Sequence, residues 1–231
     1  MNKKVLGIYI SVAMAVVLSA VAVIVAYVSA QSSDEKVFED NINKVVEMRV
    51  SNDNTTFAYG TGCFIDSVGT ILTNKHMVFS EILNAQYSVI QVRLPTEEDF
   101  VDVEVLRISN DSDLAAVKIN RIKTQFFKIN ANTKDGQEVF TIGNPNGFGL
   151  SFSKGNISSK LRNVVYNGTS TQAMQTSLII NEGNSGGPVF NSKGQLLGVV
   201  SFRMKDSSME VLQGVTFAVP GFKIKEFLNT L

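Results

Sequence analysis

The spacing of apolar and polar residues changes character twice along the 231 residues. From Val5 to Ala30 no charged residue interrupts an apolar run of 26. As a helix that run would reach roughly 39 Å, enough to cross a hydrocarbon core of about 30 Å with some tilt. No polar face breaks it, unlike the helix of a soluble domain. Lys3 and Lys4 precede the run, whereas Asp34, Glu35, Glu39 and Asp40 follow it. That asymmetry predicts a cytoplasmic amino terminus with everything beyond about Gln31 outside. Residues 1–30 are therefore expected to form a cytoplasmic stub and transmembrane signal anchor, which would tie the chain to a membrane. "VSA" before Gln31 resembles a small-residue cleavage site, so a released, secreted form stays open.

In "DEKVFEDNINKVV", Val37, Phe38, Ile42, Val45 and Val46 share one helical face, which predicts a short helix leading into a domain at 31–231. Beyond it the period becomes two. Short runs rich in Val, Ile, Thr and Phe alternate with Gly, Asn, Asp and Ser clusters. Strands are predicted near Val46–Val50, Phe57–Ile65, Thr70–Thr73, Ser88–Leu94, Phe100–Ile108 and Leu114–Ile119. A second set follows near Glu138–Ile142, Ser151–Ile157, Met174–Ser177, Gly187–Phe190, Leu196–Phe202 and Val211–Val219. The expected fold is all-β, two six-stranded antiparallel β-barrels at about 45–120 and 135–219, with short flanking helices and a closing helix at 221–231. The polar segment Asn120–Gly136 would connect the barrels.

Setting aside Lys3 and Lys4 leaves 19 basic against 21 acidic residues, so no global field favours a nucleic acid or an anionic surface. Cys63 is the only cysteine, which rules out an intrachain disulfide and fits a small buried apolar residue. With one Cys and one His, an ordinary zinc site cannot be built, and no metal or cofactor is expected.

The chemistry concentrates in "IINEGNSGGPVF", Ile179 to Phe190, where Ser185 sits among glycines. Gly183, Ser185 and Gly187 fit the G-x-S-x-G of a nucleophile elbow, although a phosphate cradle or plain turn could show the same letters. The cradle lacks the Lys and following Ser or Thr of a P-loop. A serine hydroxyl needs an adjacent base, and imidazole suits neutral pH. The sole histidine, His76 in "GTILTNKHMVFS", lies before Ser185, while an elbow enzyme places it after the serine. A carboxylate to orient the ring should lie between them, and "SNDSDLAAVKI" offers Asp111 and Asp113. Asp113 directly precedes a strand, whereas Asp111 sits among turn residues.

With the order His76, Asp113, Ser185, the chain resembles the chymotrypsin-fold serine proteases and, within them, the HtrA family. The resemblance covers about Val37 to Val219. It rests on "GTGCFIDSVGTILTNKHMV", "DLAAVKI", "IGNPNGFGLSFSKGNIS", "QTSLIINEGNSGGPVFNSKGQLLGVV" and "GVTFAVP", in that order. It implies a chymotrypsin-like double barrel in which Ser185 is the nucleophile, His76 the base and then acid, and Asp113 its orienter. The N–H groups of Gly183 and Ser185 would form an oxyanion hole, with Asn184 shaping the turn. Gly186 and Gly187 are expected to let substrate backbone approach closely.

By the same resemblance Ile179 would line the base of the primary pocket, with Ser201, Phe202 and Thr216 on its walls. These residues are apolar or small, which predicts cleavage after Val, Ala or Leu; Arg203 keeps an acidic preference open. The implied partners are unfolded or exposed polypeptides of the exported proteome, met in quality control, and members often form trimers, so a homo-oligomer is an expectation of the resemblance alone. Glu182 stands where members often carry Pro. Members commonly carry PDZ domains after the protease, and the chain stops at Leu231, so control through such a domain is not expected. Gating would then fall to loops such as Arg203–Glu210.

Overall fold

The computed structural model describes residues 3–229 other than 122, 167, 206 and 209, so that Leu231, the end of the expected closing helix, and Asp206 and Met209 of the Arg203–Glu210 loop lie outside the described residues. The chain divides into two compact units, Met1–Glu39 and Asp40–Leu231. Helix α1 spans Lys3–Ile42. Its stretch Leu6–Ala26 has a mean hydropathy of 2.7 and none of it is buried, so by length and composition it can cross a membrane. The short helix expected after the apolar run is continuous with α1 and ends before Val45. Val45 and Val46 are instead fully buried in the first strand, opposite Cys63 and Gly62. Their β-branched side chains suit a pleated, packed surface better than a helix end.

In the second unit, strands β1 (Val45–Ser51), β2 (Ala58–Phe64) and β3 (Thr70–Thr73) are followed by a small hairpin of β4 (Phe79–Ser80) and β5 (Ala85–Gln86). Strands β6 (Val89–Arg93), β7 (Val101–Asp102), β8 (Glu104–Ile108) and β9 (Ala115–Lys118) complete the first half. The first sheet runs β7-β6-β1-β2-β3-β9-β8 and stays open among the described residues. Its core is Val46, Met48, Val50, Phe64, Ile71 and neighbours.

The second half holds β10 (Lys128–Ile129), β11 (Glu138–Gly143), β12 (Ser151–Tyr166), β13 (Thr169–Thr176), β14 (Pro188–Phe190), β15 (Gln195–Lys205) and β16 (Val211–Pro220). Strands β11 to β16 close into a ring through the β15–β16 pairing, and β10 joins β15 in parallel. Val139, Ile157, Leu178, Val189 and Val200 fill this ring. Helix α2 (Gly221–Leu228) follows, burying Ile224 and Phe227. The expected pair of six-stranded barrels is therefore one open sheet and one closed six-stranded ring. The run Phe100–Ile108 divides into β7 and β8, separated at Val103, whose N–H donates to Ile90 O instead.

Thr61 of β2 joins the halves. It is fully buried, and its Oγ1 donates to Gly183 O (2.7 Å) while accepting from Asn144 N–H (3.0 Å). Its N–H donates to Ser185 O at 2.9 Å, and its carbonyl accepts from Thr73 Oγ1 at 2.9 Å. All four bonds form away from water, where an unpaired polar group is costly.

Replacing Thr61 with Val keeps the shape but strands Gly183 O and Asn144 N–H, each at a cost of about 1–3 kcal/mol. Urea unfolding of Thr61→Val is expected to show a lower midpoint with an unchanged slope, a loss of about 2 kcal/mol or more.

Candidate active site

Antiparallel pairing of β3 with β9 puts Thr73 opposite Ala115, so the chain leaving β3 and the chain entering β9 emerge side by side. A 3₁₀ turn at Lys75–Met77 carries His76. Asn74, fully buried, donates from Nδ2 to Asp113 O at 2.9 Å. The His76 N–H donates to Asp113 Oδ1 at 3.2 Å, and Nδ1 lies 3.0 and 2.9 Å from the two carboxylate oxygens. A carboxylate can only accept here, so the ring proton sits on Nδ1 and Nε2 keeps its lone pair. Asp111 is exposed, and its N–H donates to Ser109 Oγ in the preceding turn.

Ser201 completes the environment of Asp113, donating from Oγ to Oδ2 at 2.5 Å, a short charge-assisted bond. Expected as a pocket wall, Ser201 also serves the acidic member of the cluster, a role invisible in its immediate sequence. Burial pushes the Asp113 pKa up, but the His76 charge, its hydrogen bonds and the Ser201 hydroxyl outweigh it and hold the carboxyl below its usual range. For His76, burial favours the neutral ring, yet the Asp113 charge and hydrogen bond, with Glu81 adding its charge, raise the pKa above the ordinary imidazole value. Its side chain keeps 45% of its area exposed, so the ring remains open to solvent in the cleft.

The loop that carries Ser185 hangs between β13 and β14. Gly186 N–H donates to Val200 O and Val200 N–H to Gly187 O, which pins Ser185 beside β15. The Ser185 hydroxyl donates to Ser201 O at 3.4 Å, not to His76. Asn184 N–H donates to Asn181 O, whereas the N–H groups of Gly183 and Ser185 have no protein acceptor among the described residues. Gly183 has a φ of 94°, and a Cβ there would sit 2.1 Å from Asn144 O. The preceding carbonyl, Glu182 O, accepts from Asn146 N–H at 2.7 Å. Two unpaired, adjacent donors beside a serine can hold an oxyanion. The other glycines act differently from expectation: a Cβ at Gly186 would lie 2.1 Å from Thr61 O, so small size there admits the first sheet's backbone, and Gly187 likewise abuts Asn184 O and Ile142 O.

His76, Asp113 and Ser185 line one cleft of 550 Å³, together with Phe202 and Arg203. Phe202 is stacked between Tyr166 and Phe217, with ring centroids 4.0 and 5.1 Å away. Ile179 is 62% exposed and does not line the cleft, while Thr216 is buried with its hydroxyl on Leu178 O. Among the described residues no group of His, Cys, Asp and Glu could hold a metal ion.

The sequence matches the family described as trypsin-like peptidase domain over residues 60–199, and the chain belongs to that family. Its relatives are of the HtrA type. The serine endoprotease DegS of Haemophilus influenzae is 32% identical over 185 residues, covering 78% of this chain and 50% of that protein. A probable periplasmic serine endoprotease, DegP-like, of Pseudomonas savastanoi pv. phaseolicola is 36% identical over 170 residues, covering 71% and 33% respectively. The chain thus spans half or less of these relatives' length. Among solved structures, the HtrA-type protease AlgW with a tripeptide superposes with a TM-score of 0.71 at 24% identity, covering 84% of this chain and 62% of that one.

Because the sequence holds a single histidine, one imidazole resonance reports the pair directly. Proton NMR titration is expected to place its pKa above about 6.5. In Asp113→Asn the attraction for the imidazolium disappears while burial remains, so the pKa should fall below that value.

Proposed function

We propose that the chain is a serine endopeptidase in which Ser185 attacks the peptide carbonyl, His76 takes its proton at Nε2 and later returns it to the leaving amine, and Asp113 fixes the ring and stabilises the imidazolium. The observation that carries this reading is the Asp113–His76 contact sharing a cleft with a serine whose own N–H and that of Gly183 have no protein acceptor among the described residues. Rotation about χ1 of Ser185 releases its hydroxyl from Ser201 O and redirects it toward Nε2 when substrate is bound. The developing oxyanion then accepts from Gly183 and Ser185 N–H, and an acyl-enzyme on Ser185 is hydrolysed by water.

The apolar run Leu6–Ala26 supports an anchor in the membrane with the peptidase on the extracytoplasmic side. Exposed or unfolded segments of exported proteins are the substrates this reading assigns, in keeping with relatives named as periplasmic endoproteases. A second reading, a protease-shaped binding module, draws on the Ser185 hydroxyl resting on Ser201 O instead of on the histidine.

A fluorophosphonate probe is expected to label Ser185, and Ser185→Ala should lower peptide turnover by on the order of 10⁴-fold to 10⁶-fold. A folded protein that neither labels nor cleaves favours the binding module. The acid limb of kcat/KM should follow the titration of His76, falling as pH drops through its raised pKa because only the neutral ring accepts a proton. Alkaline carbonate extraction should leave the full chain in the membrane fraction.

A further inference from the structure

The expected aliphatic pocket needed Ile179 at its base, but Ile179 stands outside the cleft, which Arg203 lines alongside the expected Ser201 and Phe202. Strand β15 carries Arg203 two residues past Ser201, just beyond a register shift between Val200 and Phe202, and both residues line the cleft. Its guanidinium crosses from β15 to the segment immediately before the nucleophile. There Nη1 reaches Ile180 O at 3.3 Å and Asn181 Oδ1 at 3.4 Å, and Nη2 stands 4.0 Å from Glu182 Oε1. All three distances are long for a group that offers five donors, and the first two partners are neutral.

The charge balance is equally loose. Arg203 keeps 19% of its side-chain area exposed, whereas its one carboxylate neighbour among the described residues, Glu182, is 87% exposed. A pair with one arm in water is weak and readily exchanged. Asp113 is committed to His76 and Ser201, and neither Glu81 nor Asp111, which also line the cleft, pairs with Arg203 among the described residues. A brace built for stability would hold short bonds to a buried carboxylate. This guanidinium is largely withdrawn from water, under-neutralised by the described residues and in the same cleft as Ser185.

We infer that Arg203 is the specificity determinant of this pocket and that the side chain it takes is a carboxylate, Glu or Asp, at the substrate residue whose carbonyl Ser185 attacks. This rests on the endopeptidase reading. The substrate carboxylate replaces Glu182 and forms a two-pronged bond with the planar guanidinium, while the aliphatic stem of the substrate residue lies along the Tyr166–Phe202 stack. Glu182, freed, turns to solvent.

The test uses the full chain in detergent with matched peptides that differ only at that residue, Glu against Gln and Asp against Asn, with Val and Lys versions alongside. The protein as it stands is expected to cleave the Glu peptide with a kcat/KM at least about tenfold above its Gln twin. In Arg203→Gln that ratio should collapse to about one, a within-variant comparison that a general loss of activity cannot mimic. Arg203→Glu should gain cleavage of the Lys peptide over the Gln peptide, a gain that misfolding cannot supply. Preference for Val, unchanged in Arg203→Gln, overturns the pocket assignment and leaves the endopeptidase standing. Absence of both cleavage and probe labelling at Ser185 overturns the two together.

Discussion

The structure depends on one buried threonine. Thr61 sits in the open sheet, yet three of its four hydrogen bonds go to the second half of the domain, two of them to the backbone on either side of Asn184. The carbonyls of Gly183 and Ser185 are thereby turned toward the first sheet. A peptide plane has the carbonyl of one residue at one edge and the N–H of the next at the other, so these two carbonyls orient the N–H groups of Asn184 and Gly186 on either side of Ser185. Glu182 O, held by Asn146 N–H, constrains the plane whose nitrogen belongs to Gly183. Asn184 O, which shares its plane with the Ser185 nitrogen, accepts from Gly187 N–H at 3.0 Å, so the geometry proposed to receive an oxyanion is set jointly by β2, the turn after β11 and the loop itself. No disulfide supports this joint, since Cys63 is alone in the sequence and fully buried, with burial pushing its thiol pKa far up.

Ser201 links Asp113 and Ser185 in a second way. Its hydroxyl binds Asp113 while its carbonyl accepts from Ser185, so one residue of β15 touches both ends of the proposed triad. A hydroxyl at 2.5 Å from a carboxylate stabilises the charge that in turn raises the basicity of His76.

Much of this was legible in the sequence because the signals were local. Period-two runs marked the strands of both halves, and chain order together with a single histidine selected His76, Asp113 and Ser185 for one cluster. What escaped were features made by contacts across more than a hundred residues, such as Thr61 with Gly183, which leave no mark on either segment alone. The long hairpin of β12 and β13 was also shortened in the reading, because residues 158–165 face water on much of both sides and show little alternation. Gly168, with a φ of 76°, was the available signal for its turn. Ile179 misled because a position counted back from the serine gives an address but not the direction of a side chain.

The two halves differ in one topological respect. The ring of β11 to β16 leaves no unpaired strand within itself, whereas the first sheet terminates in β7 at one end and β8 at the other. Both termini carry deterrents: β7 is two residues long, and β8 sets Glu104 and Arg107 among its apolar positions. Beyond the ring the second sheet ends in β10, likewise two residues long, so lateral addition of a foreign chain is opposed by brevity at β7 and β10 and by charge at β8.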